Sequence, residues 1–344
     1  MKKTAIALAI SAMSLPALAL EKMPEESGFS GYVNLGAGTG SIESNFLARL
    51  SGIDVDLGDD TITDFGSPDD EDITLPAINL NVNYTFSNLK TQVSLGNDLA
   101  DFLQFDRSTR LALRHDFDSL GRMQIALLSS AFPATEVWAD PYLLDEKRKD
   151  TERSTTGGRF TWDKIFGSHF ELKVSARTIE IDDENSGEGY RDSNGDPLTR
   201  QQRKLLDREG DINRMELGYM FIIGDGTNVL RPSVAYIDRD LDGDAMSQDG
   251  VEVGLSWLYN NRDNFRWANN ISYSSLEGDK KNPIFNETND ADQIVFASQM
   301  FFPNLFGLEK WEPNMSFVWG DSDNDIDFND AAGWMFNVGI GRQF

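Results

Sequence analysis

The residues best suited to chemistry in this sequence are carboxylates. Asp238-Arg239-Asp240-Leu241-Asp242-Gly243-Asp244 places an acid at every second position, then a glycine, and Asp249 falls twelfth in the run. That is the spacing of a calcium-binding loop. Alternate side-chain oxygens wrap a hard cation, a glycine makes the sharp turn, and Asp249 stands where a bidentate Glu is usual. Asp238, Asp240, Asp242, Asp244 and Asp249 are candidate Ca2+ ligands in a surface loop, but a solvated acidic loop is the favoured reading and no cofactor is expected. Asp321, Asp323, Asp325 and Asp327 repeat the alternation without the glycine. Other chemistry is sparse. The chain has no Cys and two His, His115 and His169, and no nucleophile motif accompanies them. No enzyme, no thiolate metal site and no lipid-bearing Cys is expected.

Period-two alternation dominates the segments that would carry these residues. Ile78, Leu80, Val82, Tyr84 and Phe86 alternate with Asn79, Asn81, Asn83 and Thr85. A short break follows, and then Leu89, Thr91, Val93 and Leu95 alternate with Lys90, Gln92 and Ser94. Two such runs across a tight break make a hairpin. The unit recurs around Asp118-Ser119-Leu120-Gly121, Gly167, Gly224-Asp225-Gly226, Asn260–Asn264 and Pro303-Asn304. Single strands near Gly31–Ala37 and Trp334–Phe344 bring the expected total to about fourteen. Twelve or sixteen are the alternatives, because the strand at 158–163 is short, Pro232 and Pro313 interrupt two runs, and Leu99–Phe105 is apolar for a loop tip.

The breaks alternate in length. Short turns join the hairpins; longer loops lie near 39–76, 96–108, 130–157, 179–211, 238–249, 276–290 and 320–332. Short turns at one rim and long loops at the other predict an all-β, up-and-down transmembrane barrel with short periplasmic turns and long extracellular loops. The apolar face of these runs carries a single charge, Arg342, as a lipid-facing surface requires. The opposite face carries Lys90, Arg110, Arg114, Arg122, Arg159, Lys173, Arg177, Arg214, Arg231, Arg266 and Lys310, with Asp116, Asp163, Glu171, Glu216, Glu252 and Glu312. Of these, Lys90, Arg110, Arg114, Arg159, Lys173, Arg177, Arg214, Glu216, Arg231, Glu252 and Arg266 are the expected pore lining. Their basic excess would favour anions at a constriction, unless cross-strand pairing neutralises it.

Aromatic residues gather beside the short turns, as in an interfacial girdle. Lys2, Lys3, an apolar core from Ala5 to Leu15 and Ala17-Leu18-Ala19 read as a signal peptide over 1–19, leaving 20–344 as one barrel domain. Without Lys2 and Lys3, 29 basic residues face 57 acidic ones, a net charge of −28 that disfavours nucleic acid. The ending, Phe336-Asn337-Val338-Gly339-Ile340-Gly341-Arg342-Gln343-Phe344, looks like the terminal signal read by the barrel-assembly machinery, with Arg342 where an apolar residue is usual.

Gly28-Phe29-Ser30-Gly31-Tyr32-Val33-Asn34-Leu35-Gly36-Ala37-Gly38, followed by Glu43-Ser44-Asn45-Phe46, resembles an uncharacterised family of proteobacterial outer-membrane proteins, a domain of unknown function. The resemblance implies a barrel and carries over no substrate or catalytic residue. The expected function is porin-like passage of small hydrophilic solutes across the outer membrane of a Gram-negative bacterium, in contact with lipid and lipopolysaccharide. The rival is a non-conducting structural or adhesive barrel acting through acidic loops; a hydrophobic-substrate transporter or a hydrolase ranks lower. Loops 39–76 and 179–211 are long enough to fold into the lumen.

Overall fold

The structure, a computed structural model, describes residues 23–51, 53, 55–101, 106–131, 134–224, 226–261, 265–307 and 311–344. The expected signal segment 1–19, Phe102–Phe105 and Lys310 lie outside the described residues.

The strands in chain order are β1 (Gly28–Ser44), β2 (Leu47–Leu50), β3 (Val55–Asp56), β4 (Asp70–Phe86), β5 (Thr91–Asp101) and β6 (Asp106–Asp116). Next come β7 (Arg122–Ser130), β8 (Thr135–Trp138), β9 (Asp150–Asp163), β10 (Phe170–Ile181), β11 (Gly210–Tyr219) and β12 (Phe221–Ile223). The set ends with β13 (Asn228–Leu241), β14 (Gln248–Asn261), β15 (Phe265–Gly278), β16 (Ala291–Phe301), β17 (Glu312–Asn324) and β18 (Ala331–Gln343). All pair antiparallel, and β18 returns to β1 from Tyr32↔Gln343 to Ser44↔Ala331, so the sheet closes. β7 with β8 and β11 with β12 each form one interrupted stave, and β2–β3 belong to a loop, which leaves fourteen staves in the wall. One short helix, α1 (Arg200–Lys204), lies in an outer loop under a Thr199–Gln202 capping box.

Closure follows from the solvent. Hydrocarbon offers no partner to backbone N–H and C=O groups, so the ladder must bond every edge. The last bonds tie Phe344 to Gly31 in both directions, at 2.9 and 3.0 Å. Pro232 falls where the ladder is already broken. Gly218 pairs with Ser233 and Phe221 with Leu230, while Met220 turns its N–H to the His169 carbonyl. The missing donor of Pro232 therefore costs the sheet nothing.

The expected faces hold through the membrane. Ile125 is 63% exposed and its neighbour Ala126 1%. Tyr219, Trp257 and Phe317 share the outward face with this belt. Its periplasmic edge is ringed by aromatic contacts such as Phe170–Tyr219–Phe221 and Trp257–Trp267, and Arg342 lies 5.4 Å over the Trp311 ring.

The strands run further outward than alternation predicted, and the loops shrink to match: 39–76 becomes 45–69, and 179–211 becomes 182–209. Above the belt the polarity reverses. On β4, Ile73 and Leu75 point inward and are buried, while Asp72 and Thr74 face out. On β10, Ile179 and Ile181 point inward, and Thr178 and Glu180 face out. The outside there is water, so alternation continues with its faces exchanged. Asp238, Asp249, Asp292 and Asp321 accordingly face outward above the lipid, and the outward side of the whole wall is not confined to Arg342.

An arginine at Leu255, mid-belt on β14, is expected to cost about 2–4 kcal/mol of stability in a bilayer, against at most about 1 kcal/mol at the outward but higher Thr178. Urea titration of both variants refolded into liposomes measures the difference; equal costs would place the lipid elsewhere.

Candidate functional site: the lumen and its outer closure

The inner wall at membrane depth is polar on most staves; β16 is the main exception, with Val295, Ala297 and Phe301 pointing in beside Gln299. Its charged sector runs from β6 to β14. Glu171, Lys173 and Arg177 project from β10, Arg214 and Glu216 from β11, Arg231 from β13 and Glu252 from β14. Lys173 approaches Glu171 at 3.1 Å and Glu216 at 3.6 Å. Arg214 bridges Glu216 and Glu252, both at 2.6 Å. Arg231 pairs with Glu171 at 2.7 Å and with Glu216. Arg122–Asp163 and Arg266–Glu312 are two further pairs.

Arg231 and Glu171 come from staves separated by β11, and the bridge passes over Gly218. A β-carbon at Gly218 would lie 2.5 Å from the Arg231 guanidinium carbon. Glycine is therefore the seat of that arginine. Arg214–Glu252 likewise spans β13, and Arg266–Glu312 spans β16. Among the described residues, these ion pairs of the membrane-level wall join staves at most two apart. They run along the wall and leave the bore uncrossed. The remaining sector, on β15 to β18 and β1 to β5, carries the Arg266–Glu312 pair near its periplasmic end and is otherwise lined by amides, with Asn34, Asn79, Asn81, Gln92, Asn314 and Asn337 pointing in.

Above this polar chamber the bore is filled. The described residues of 45–57 fold inward, and β2 pairs with β8 through Leu47↔Val137 and Leu50↔Thr135. Leu47, Leu50 and Leu57 are fully buried in one apolar cluster with Ile42, Ile73, Leu75, Ile179, Ile181, Val318 and Met335. β10 and β18 lie seven staves apart, half-way round the fourteen, so this cluster, with Ile179 and Ile181 on one and Met335 on the other, reaches from one side of the barrel to the other. A second cluster caps it. Phe65–Phe328, Tyr142–Phe328 and Phe46–Phe328 have ring centroids 5.5, 5.4 and 5.7 Å apart.

Two arginines hold the closure. Arg148 donates to the carbonyls of Asn45 (3.0 Å), Pro141 (3.4 Å) and Asp59, and lies 4.5 Å over the Trp138 ring. Burial lowers its pKa to about 10. Arg208 pairs with Glu184 at 2.8 Å and donates to the Trp138 carbonyl at 2.7 Å. Burial raises the Glu184 carboxyl, with Arg208 opposing. Asn45 donates to the carbonyls of Gly66 and Phe328, both at 3.1 Å, and so binds plug to cap.

Of the expected pore lining, Arg110, Arg114, Arg159, Lys173, Arg177, Arg214, Glu216, Arg231, Glu252 and Arg266 all project inward. Lys90 does not. It sits at a periplasmic turn with φ 47°, exposed and paired with Asp118, because Ser87–Leu89 is a 3-10 turn that Lys90 closes and β5 begins only at Thr91. The calcium loop also fails to form. Asp238 and Asp240 lie on extended β13, Asp249 pairs across to Asp238 on β14 and accepts from Tyr236 Oη at 2.9 Å, and Asp244 is taken by Lys280. A strand cannot wrap an ion, and no group of three or more metal-ligating side chains converges among the described residues. His115 contacts Thr91 at the periplasmic rim, and His169 faces Tyr219 there. Loop 39–76, one of the two expected to be able to enter the lumen, does so, but its packing residues and the arginines Arg148 and Arg208 were not picked out from the sequence. Their one signal was leucines spaced through a loop otherwise rich in Asp and Gly.

A family described as "Protein of unknown function (DUF2860)" matches residues 28–343. No curated protein matches the sequence. Among solved structures, the chain is similar to the outer-membrane OmpT of Vibrio cholerae, with a TM-score of 0.45 at 10% identity over 92% of this chain and 98% of that one. It is similar to the outer membrane channel DcaP of Acinetobacter baumannii, with a TM-score of 0.42 at 10% identity over 93% and 97%. A Pseudomonas aeruginosa FadL homologue gives 0.44 at 9% identity over 91% and 90%. The closed barrel and its apolar belt make this chain an outer-membrane protein.

Arg148→Ala leaves three buried carbonyls without their donor. Hydrogen exchange over residues 45–57 is expected to quicken by about tenfold or more, since each lost charged bond is worth about 1.5–3 kcal/mol. Unchanged exchange would show that the plug is held by its leucines alone. The outer rim should also respond to pH. Burial first, then Asp249, Asp244, Asp240 and Asp238, raise the Asp279 carboxyl above its ordinary 3.8. The folded rim therefore binds that proton more tightly than the unfolded chain. Its stabilisation is complete below the ordinary value and fades as pH rises through the raised one. Asp279→Asn should flatten the melting temperature between about pH 4 and 6; a slope identical to wild type would rule Asp279 out as its source.

Proposed function

Because the chain belongs to the DUF2860 family, which assigns no activity, we propose from its own geometry that it is a gated, porin-like outer-membrane channel for small hydrophilic solutes. One observation carries this reading: at membrane depth the inner wall is mostly polar, with β16 (Val295, Ala297 and Phe301) the main apolar exception, and its ion pairs lie flat along it. A wall built only to be filled would send apolar side chains inward at that depth, as this barrel does above the membrane. A lumen lined by amides and paired charges is suited to water and to solutes that exchange hydrogen bonds with it.

The basic excess on β6 to β10 favours anions. Arg110, Arg114, Arg122, Arg159, Lys173 and Arg177 face Asp116, Asp163 and Glu171 as the local acids. In this reading the partners are outer-membrane lipid and lipopolysaccharide against the belt, the barrel-assembly machinery at the strand ending in Phe344, and the solutes themselves. The plug favours a second reading, a barrel that never conducts and acts through its outer loops.

Planar-bilayer recording separates the two. Wild type is expected to show rare, brief openings. Replacing residues 46–57 by a Gly-Ser linker should give steady conductance, with reversal potentials in a KCl gradient shifted toward chloride. A plug-deleted barrel that refolds but stays closed would favour the structural reading. A potassium-directed shift would refute the basic constriction.

A further inference from the structure

The longest gap in the ladder lies beside β4. That strand is bonded to β1 from Asp70 to Thr85, but to β5 only from Asn81 to Phe86. From Asp70 to Leu80 its other edge is laddered to no strand among the described residues. The upper part of this edge rises above the lipid. Its lower part does not, because Ile78 and Leu80 face outward within the apolar belt.

Bare strand edges are not stable in hydrocarbon; at that depth they occur only against protein or a polar cavity. Two local features fit such an edge. Pro76 has no N–H to leave unpaired. The Leu80 N–H donates to the Asn97 side-chain oxygen at 3.3 Å in place of a ladder carbonyl. Directly behind the edge, on the inner face of β4, Asn79 is 5% exposed, and its Oδ1 has no hydrogen-bond partner. The buried Oδ1 of Asn81 has none either. Just above them Ile73, Leu75 and Ala77 present buried apolar side chains on the same face.

A buried acceptor without a donor costs about 1–3 kcal/mol, so this position is completed by something that brings one. Lumen water reaches this sector from within; the edge of β4 beside it opens the other way, toward the outer leaflet and past the apolar Ile78 and Leu80. We propose that the β4–β5 seam is a lateral port through which small amphiphiles, apolar molecules bearing a hydroxyl or amine donor, pass between the outer leaflet and the lumen. The donor meets Asn79 and Asn81, and the apolar body lies against Ile73, Leu75 and the edge of the plug. This route goes beyond the axial channel and needs no opening of the mouth.

The chain has no Cys, which makes a staple clean. Leu80 and Asn97 would be the next partners if the ladder continued past Asn81↔Gly96, so L80C/N97C should oxidise to close the seam. Full-length protein in liposomes is photolabelled with an aryl-diazirine benzyl alcohol and with the same diazirine lacking the hydroxyl. The alcohol is expected to label residues 73–81 about tenfold more than its analogue, the worth of one good hydrogen bond. The oxidised staple should remove that labelling, reduction should restore it, and labelling of the lipid-facing Ile125 and Leu127 should not change. Asn79→Leu should abolish the preference for the alcohol.

Labelling of 73–81 that survives the staple would overturn the port, and equal labelling by both probes would overturn the donor match. If the disulfide does not form, retention of the alcohol preference by Asn79→Leu overturns the proposal by itself. Ion conductance of the same stapled barrel, with its plug deleted, reports separately on the axial channel. Loss of lateral labelling alone leaves that channel standing, and a silent bilayer with intact labelling refutes only the channel.

Discussion

The backbone hydrogen bond in a solvent without hydrogen bonds is the interaction on which everything else here depends. Within hydrocarbon each N–H and C=O must find a partner in the protein, and a sheet achieves this only by closing. The seam from Phe344 to Gly31 and the long β1–β18 register complete that closure. The same requirement explains the exceptions. Pro232 lies where the ladder has already parted, and Pro76 lies on the edge of β4 that no strand joins among the described residues. In both places the residue that cannot donate occupies the position where a donor would be wasted.

Side-chain polarity follows the surrounding medium rather than the strand. Through the belt, Ile125, Leu127 and their neighbours face lipid, and Arg231 and Glu216 face the lumen. A few residues further out, the same alternation presents Asp72 and Thr74 to water and Ile73 and Leu75 to the interior. This exchange gives the barrel an apolar upper bore, which must then be filled because water there would meet leucine and isoleucine on all sides. The described residues of 45–57 fill it. The plug is thus a consequence of strands that outrun the bilayer.

Much of this was legible in the sequence, and the failures share one cause. Period-two alternation located the fourteen staves, the inner charges and the lipid face because a membrane enforces strict alternation over about ten residues. It missed where the faces exchange, since Asp72-Ile73-Thr74-Leu75 alternates as regularly as the belt and differs only in which side is wet. Loop 39–76 was therefore drawn too long. Lys90 was assigned to the lumen by continuing a pattern past its turn. Asp238 and Asp240 looked like loop ligands for the same reason: alternate carboxylates also mark one face of a strand, and the strand prevailed. The plug left only Leu47, Leu50 and Leu57 as a trace, and loops carry no period from which to read a fold.

The ion lattice on the inner wall remains to be accounted for energetically. Burying Glu171 and Arg231 takes both out of bulk water, and a well-packed apolar pair is often as stable. An apolar wall would serve stability equally well and would let neighbouring staves slide, since one leucine fits another at many registers. A guanidinium seated over Gly218, bonded on one side to Glu171 and Glu216 from two other staves, fits at one register only. Slipping β13 by one residue would swing Arg231 into lipid and leave Glu171 with Lys173 alone and Glu216 with Lys173 and Arg214, a penalty of several kcal/mol against a single correct alignment. The lattice therefore does two things at once. It fixes the register of the charged sector, and it keeps the wall at membrane depth polar beneath the apolar plug.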